Sequence, residues 1–410
     1  MTKGSLGPHF RSFWIATAVS NLGDGIRWTA LPLLAASITR EPQQIAGVTL
    51  TIWLPWLFFA LPGGAVVDRV DRRALIRNVQ VVRAILLAAL TFLVLDGHAS
   101  IPLIYAVSFL IGTGEVFADS ASQTIVRALL PPERLEDGYG RLFAADLGAN
   151  ELVGPPLGGF LFSIQRATPF LCDAISYAVA GLLVHRLPTD LFAREPNSDA
   201  TIRADVMEGL RWLWTNKLMR AITISITLAN FFNTVTYAVF VLFALQILDV
   251  DAFGFGLIMS AGGIGGLMAT ALAPRIMARL GRATMVWGGM VVTGLSALVI
   301  AASSDPWIAG AAQFCMLFSI TLWVIVARAL RATIVPDRLL GRVISSGRLL
   351  GFGAIPLGAA VGGWVAHHFG LRAPFLLAGV ASVLIGFGTY PFINSRTMAA
   401  ARAEAGFEQT

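Results

Sequence analysis

Charge is scarce in this chain. Charged residues make up 13% of its 410 positions, and lysine occurs twice against 28 arginines. A soluble domain carries about a quarter charged residues, so there is too little polar surface here to cover a fold in water. Hydrophobic residues reach 56% and the mean hydropathy is +0.72, which makes lipid the solvent for most of the chain. Cysteine is nearly absent. Cys172 and Cys315 sit inside apolar runs, where they read as small buried hydrophobes and imply no disulfide framework. No glycine-rich phosphate loop, Cys/His metal spacing or nucleophile elbow occurs, so nothing points to catalytic residues, a metal or an organic cofactor. The formal net charge is +6, but the basic residues stand singly between apolar runs rather than on one patch. That pattern argues against nucleic acid as a partner.

Long apolar runs are plentiful. A bilayer core about 30 Å thick needs about 20 apolar residues as a helix. Runs of that kind predict spans at 11–38, 44–66, 74–95, 101–126, 139–163 and 168–187, then at 219–247, 254–277, 283–303, 307–331, 340–367 and 372–394. The expectation is an all-α integral membrane protein with twelve transmembrane helices. The first span is too long for a cleavable signal peptide, and Asp24 and Arg27 interrupt it.

Arginine and lysine set the expected orientation. With both termini cytoplasmic, 25 of the 30 basic residues fall on the inner loops and adjoining helix ends, and the opposite loops keep only Arg40, Arg166 and Arg372. The longest polar interval, 188–217, separates an N-terminal bundle (1–187) from a C-terminal bundle (218–410). Within it, Ile202, Val206, Leu210, Leu213 and Trp214 recur at helical spacing beside Arg203, Asp205, Glu208 and Arg211. This reads as an amphipathic helix on the cytoplasmic face or as an ordinary linker helix.

Ionisable side chains inside spans are costly unless paired or hydrated, so each is a functional candidate. The first bundle has Asp24, Arg27, Arg83, Glu115, Asp119, Asp146 and Glu151, with Asp173 nearer the outer end. Six acids against two arginines leave four in surplus, whereas the second bundle keeps its acids in loops. Proton handling is therefore expected in the first half. Glu115 and Asp119, four apart, share a face of the fourth helix. Carboxylates about 6 Å apart repel in a low dielectric, and one proton relieves the pair, so these two lead the proton-coupling candidates, with Asp24 and Asp146 behind them. Arg27 and Arg83 are the intramembrane charge partners. Possible cargo contacts are the amides Asn21 and Asn150 in the first bundle. In the second they are Asn230, Asn233 and Tyr237 on the seventh helix and Gln313, Phe314 and Trp323 on the tenth, since aromatic faces with a few amides suit amphipathic organic molecules.

The halves repeat. Arg127-Ala128 through Pro132, Arg134 and Leu135 match Arg331-Ala332 through Pro336, Arg338 and Leu339 at an offset of 204, and Gly158-Gly159 matches Gly362-Gly363. Such parallel repeats hold a substrate site near the bilayer midplane. The loop after the second span reads Gly64-x-x-x-Asp68-Arg69-x-x-Arg72-Arg73, and the fifth span carries Gly154-Pro155-Pro156-Leu157-Gly158-Gly159.

Over essentially its whole length the chain resembles the major facilitator superfamily, whose fold is two pseudo-symmetric six-helix bundles. The loop after the second span is similar to that superfamily's motif A, in which Asp68 would latch the cytoplasmic side. The glycine-proline run of the fifth span resembles motif C, the antiporter signature. Leu22-Gly23-Asp24, Arg83-Ala84, Gly112-x-Gly114-Glu115 and Asp173-Ala174 resemble the bacterial branch of macrolide, tetracycline-type and siderophore exporters. Ser120 departs from that branch, which often has proline there.

The resemblance implies a secondary active exporter in the bacterial cytoplasmic (inner) membrane, monomeric and without a cofactor. Its energy source would be the proton gradient, with a small amphipathic molecule carried by alternating access. The alternatives behind it are a facilitator or proton symporter importing a polar nutrient, and a lipid-moving transporter on the same fold. No enzymatic reading survives.

Overall fold

The computed structural model describes residues 6–188, 202–394 and 396–398, with backbone only at 61–66, 68, 69, 123, 124, 202–206, 332, 337 and 338. The described residues form helices joined by short turns, with no strand among them. In lipid this is the expected economy, because a helix satisfies every backbone polar group within its own segment.

The order begins with α1 (Pro8–Ile38), α2 (Pro42–Arg69), α3 (Arg72–Leu95) and α4 (Ile101–Leu129). A composite fifth span follows: α5 (Leu135–Ala145), a π-helical stretch (Asp146–Val153) and α6 (Gly154–Ile164). Next come α7 (Thr168–His185), α8 (Ile202–Thr215), α9 (Lys217–Tyr237), α10 (Phe240–Gln246) and α11 (Ala252–Ala302). The chain closes with α12 (Pro306–Ile334), α13 (Asp337–Phe369) and α14 (Ala373–Thr389).

Among the described residues, 8 helices are long and apolar enough to cross a membrane by length and composition. The longest, α11, is two of the expected spans in one, because Gly281 breaks it at φ 76°. A left-handed backbone of that kind is open to glycine at no steric cost. The remaining expected spans coincide with α1, which its charges make less apolar, with the interrupted fifth span, and with the shorter α14. Large apolar side chains face outward: Ile85 is 64% exposed, Phe92 66% and Leu182 64%. In water such a surface would aggregate; against acyl chains it is the right one.

Helix starts follow from local chemistry. Asp71 caps α3, its carboxylate accepting from the backbone N–H of Arg73 (2.9 Å) and Ala74 (3.1 Å). Asp305 caps α12 through Trp307 N at 2.7 Å, and Asn216 caps α9 through Met219 N at 3.0 Å. Each satisfies backbone donors that a helix start leaves unpaired.

Two compact units emerge: Met1–Arg40, Thr51–Asp199 and Val250–Ser260 make unit 1, and Glu41–Leu50, Ala200–Asp249 and Ala261–Thr410 make unit 2. The short segments Glu41–Leu50 and Val250–Ser260 thus group with the half of the chain to which they do not belong in sequence. Glycine makes both attachments close. A Cβ on Gly159 would stand 2.2 Å from the Ala252 carbonyl, and one on Gly363 would stand 2.7 Å from the Ala46 side chain.

Unit 1 is cored by Phe10, Phe13, Ile76, Ile125 and Val126, and unit 2 by Met219, Val286, Trp323, Val326 and Leu330. The linker helix α8 is docked in unit 2. Gly209 lies against the Arg342 backbone, Leu213 is buried, and Glu208 pairs with Arg342. Its partner is therefore α13, which favours a packed linker helix over one lying free on the membrane surface.

Candidate functional site

Unit 1 buries a network of ionised and polar side chains drawn from four helices. On α1, Asp24 and Arg27 stand three apart, so both project on one side. Arg27 is 1% exposed at its side chain and forms ion pairs with Asp24 (2.5 Å) and Asp173 of α7 (2.9 Å). The same guanidinium donates to the Tyr177 hydroxyl at 3.2 Å, and that hydroxyl donates to Asp24 Oδ1 at 2.5 Å. Ser176 completes the set by donating to Asp173 Oδ1 at 3.0 Å. Asp173, Ser176 and Tyr177 follow i, i+3, i+4 spacing, which is why one face of α7 delivers all three.

Gly23 makes this approach possible. A Cβ there would fall 2.0 Å from the Ser176 hydroxyl and 2.2 Å from Asp173 Oδ1. Any larger residue would push α7 off α1 and break the Arg27–Asp173 pair.

A second pair lies alongside. Arg83 of α3, 3% exposed at its side chain, donates to Glu115 of α4 at 2.6 Å and to the Ile111 carbonyl at 3.3 Å. Its guanidinium carbon sits 5.1 Å from the centroid of the Tyr177 ring. Tyr177 therefore touches both pairs, by its hydroxyl on one side and its ring on the other. Glu115 differs from the rest in access, with 41% of its side chain exposed, whereas Asp173 has 0% and Asp24 11%.

Asp119 lies one turn along α4, half-buried. Glu115 does not face Asp119 alone, because Arg83 is its direct partner.

A separate polar cluster forms where the fifth span is π-helical. Asp146 Oδ1 accepts from Asn21 of α1 at 3.3 Å and from Asn150 at 3.5 Å. Short π-helical insertions are rare and occur frequently at functional sites. The stretch then passes into Gly154-Pro155-Pro156-Leu157-Gly158-Gly159. There, Cβ atoms would fall 2.6 Å from Gly25 Cα at Gly154 and 2.5 Å from the Ile26 carbonyl at Gly158. These glycines let α6 lie backbone to backbone on α1, and Gly256 does the same against Pro155.

In the motif-A loop, the side chains of Gly64, Asp68 and Arg69 lie outside the described residues. Arg72 begins α3, and Arg73 donates to the carbonyls of Val184, at 3.4 Å, and His185, closing the C-terminal end of α7. Asp71 is the α3 cap, its carboxylate accepting from two backbone N–H groups of the first turn.

In unit 2, Asn230 donates to the Gly351 carbonyl of α13 at 3.0 Å. Asn230, Asn233 and Trp323 line one cavity between α9, α11, α12 and α14. Gln313 is buried where α12 meets Gly262, Phe314 stacks on Phe318 with centroids 6.0 Å apart, and Tyr237 ends α9; none of the three lines that cavity. Among the described residues, no group of three or more His, Cys, Asp or Glu side chains could hold a metal ion.

Tyr177 is the member of the site that sequence reasoning misses. Asp173 is counted among the intramembrane acids but not among the leading proton-coupling candidates, and it is fully buried against Arg27. The signal that could find Tyr177 is its spacing from Asp173, an acid and a tyrosine four apart in an apolar helix.

Three kinds of similarity bear on this arrangement. The family model described as transmembrane secretion effector matches residues 6–406. The multidrug efflux pump Tap of Mycolicibacterium fortuitum is 25% identical over 403 residues, covering 94% of this chain and 96% of that one. Macrolide efflux protein A of Streptococcus pyogenes is 22% identical over 393 residues, with coverages of 94% and 96%. Among solved structures, the nucleoside transporter NupG superposes with TM-score 0.74 at 14% identity, over 94% of this chain and 99% of NupG. A bacterial homologue of the iron transporter ferroportin, in its inward-facing state, gives 0.73 at 16% identity over 93% and 98%. The structural likenesses speak for the fold alone.

Proposed function

Because the chain belongs to the transmembrane secretion effector family of the major facilitator superfamily, and is thus a multi-pass membrane transporter, we propose that it is a proton-driven exporter. Its cargo in this reading is a small amphipathic organic molecule, and its site is the bacterial inner membrane with both termini cytoplasmic. The efflux-pump relatives and the glycine-tight α1–α6 contact support export over import.

One observation carries the coupling. Three carboxylates (Asp24, Asp173, Glu115) face two guanidiniums (Arg27, Arg83) in a connected, largely buried set. With all five ionised the set holds one negative charge more than it can pair, and a single proton brings it to neutrality. Uncompensated charge is expensive in a low dielectric, so a one-proton cycle is the natural exchange.

Glu115 is the entry point, since its carboxylate is the accessible member. A proton on Glu115 removes the charge that holds Arg83 Nη2 at 2.6 Å, freeing Arg83 to lean on Tyr177 and, through its hydroxyl, on Asp24 and Arg27. Proton binding on α4 is thereby felt by α1, α3 and α7. That is the requirement for linking a proton to alternating access, because a ligand drives a transition only through differential contacts in the two states.

The test is uphill efflux of a radiolabelled macrolide and of ethidium from proteoliposomes under an imposed pH gradient. Wild type should pump at least one of the two. Glu115→Gln should abolish uphill efflux while passive exchange persists. Uphill pumping by the Glu115→Gln/Asp119→Asn double variant would move the proton site to Asp24 or Asp146. Gradient-driven uptake in the opposite sense by wild type would favour the importer reading.

A further inference from the structure

Unit 2 holds a cavity of about 60 Å³ enclosed by α9, the second part of α11, α12 and α14. A water needs roughly 10–15 Å³ by this measure, so the space takes about four waters or one small organic group.

Its wall has two characters. Met290, Ile320, Val324 and Ile385 are apolar, and Gly289 adds bare backbone. The rest carry polar groups able to hydrogen-bond: Asn230, Asn233, Thr293, Trp323 and Ser382. No lining residue is charged.

Several polar groups are already committed. The Asn230 amide donates to Gly351, and the Thr293 hydroxyl is shared between the Gly289 carbonyl at 2.9 Å and Ser319 at 3.1 Å. Trp323 is different. It is 5% exposed, and its indole Nε1 is buried with no hydrogen-bond partner. An indole N–H is donor only, so an acceptor is what Trp323 lacks. A buried donor left unmet carries the full cost of its desolvation, which a bound acceptor would recover.

We propose that this cavity is a binding site for an uncharged apolar group bearing one oxygen acceptor, such as a ketone or ester carbonyl, taken by Trp323 with Asn233 and Ser382. The wall without charge selects against ions, since an ion buried here would lack any counter-charge. As a subsite for cargo this rests on the export reading above; as a binding site it does not. The carbonyl has two possible sources, the cargo itself or the ester linkage of a phospholipid.

The test uses full-length protein labelled with 5-fluorotryptophan in dodecyl maltoside, with the Trp323 fluorine signal assigned by its loss in Trp323→Phe. Cyclohexanone should shift that signal saturably, while methylcyclohexane and cyclohexylammonium should not. Ser382→Ala or Asn233→Leu, whichever retains the wild-type elution profile, should weaken the cyclohexanone titration several-fold. A shift that does not saturate, an equal response to methylcyclohexane, or unchanged titrations in both variants would overturn the proposal.

Repeating the titration in nanodiscs of ester-linked and ether-linked lipid separates the sources. Weaker cyclohexanone binding in the ester discs identifies lipid as the natural occupant, and equal binding identifies cargo; both outcomes support the site. Because binding is read without a gradient, it stands or falls independently of uphill export.

Discussion

Replacing Arg27 by glutamine should be the most damaging single change in the buried network, and the geometry says by how much. The guanidinium has two carboxylate partners, Asp24 at 2.5 Å and Asp173 at 2.9 Å, and the three side chains are 1%, 11% and 0% exposed. Glutamine leaves two buried acids facing each other with no cation between them. Breaking a buried ion pair by removing one partner costs about 3–5 kcal/mol. Asp173→Asn is a milder loss, because Arg27 keeps Asp24 and the surplus negative charge falls by one. Its cost is that of one charge-assisted hydrogen bond, about 1.5–3 kcal/mol.

The double variant Arg27→Gln/Asp173→Asn should then be more stable than Arg27→Gln alone by at least about 1 kcal/mol, because contacting substitutions do not add. Equilibrium unfolding at pH 7 in mixed detergent, followed by circular dichroism, measures all three against wild type. An Arg27→Gln variant within about 1 kcal/mol of wild type, or a double variant no better than Arg27→Gln, would refute the charge-balance reasoning.

Two further outcomes follow from the same packing. Tyr177→Phe keeps the ring beside Arg83 but removes the hydroxyl between Arg27 and Asp24, so it should lower uphill efflux severalfold and cost about 1–3 kcal/mol in the same unfolding assay; unchanged pumping would take Tyr177 out of the coupling. Gly158→Ala places a Cβ 2.5 Å from the Ile26 carbonyl, an overpacking worth about 1–3 kcal/mol, and should lower the thermal midpoint of the purified protein, whereas Gly140→Ala, with open space around it, should not.

How much of the site can be read in advance depends on chain separation. Asp24 with Arg27 is an i, i+3 pair, and Asp146 with Asn150 an i, i+4 pair, so helical periodicity alone puts each pair on one face. Arg83 with Glu115 is within reach as a partner of opposite sign in a neighbouring span. Asp173 is not. Its bond to Arg27 joins positions 146 residues apart, and counting along a helix places Asp173 without supplying the contacts that bury it. The π-helical stretch at Asp146–Val153 is equally silent, since its residues suit an ordinary helix and only the packing of α1 against Gly154 and Gly158 accompanies the wider turn.

Whatever depends on transfer to lipid or on near neighbours is written in the residues alone. The lack of charge, the apolar runs, the Asp and Asn caps and the left-handed glycine at 281 act locally, through hydration and backbone sterics that need no distant partner. Packing in three dimensions settles the rest. It chooses which acid meets which arginine, makes Tyr177 the contact between two ion pairs, leaves Glu115 the accessible carboxylate, and encloses a cavity whose buried indole lacks an acceptor. Those outcomes depend on how closely helices approach, and that distance is set by glycines meeting backbone from segments far apart in the chain.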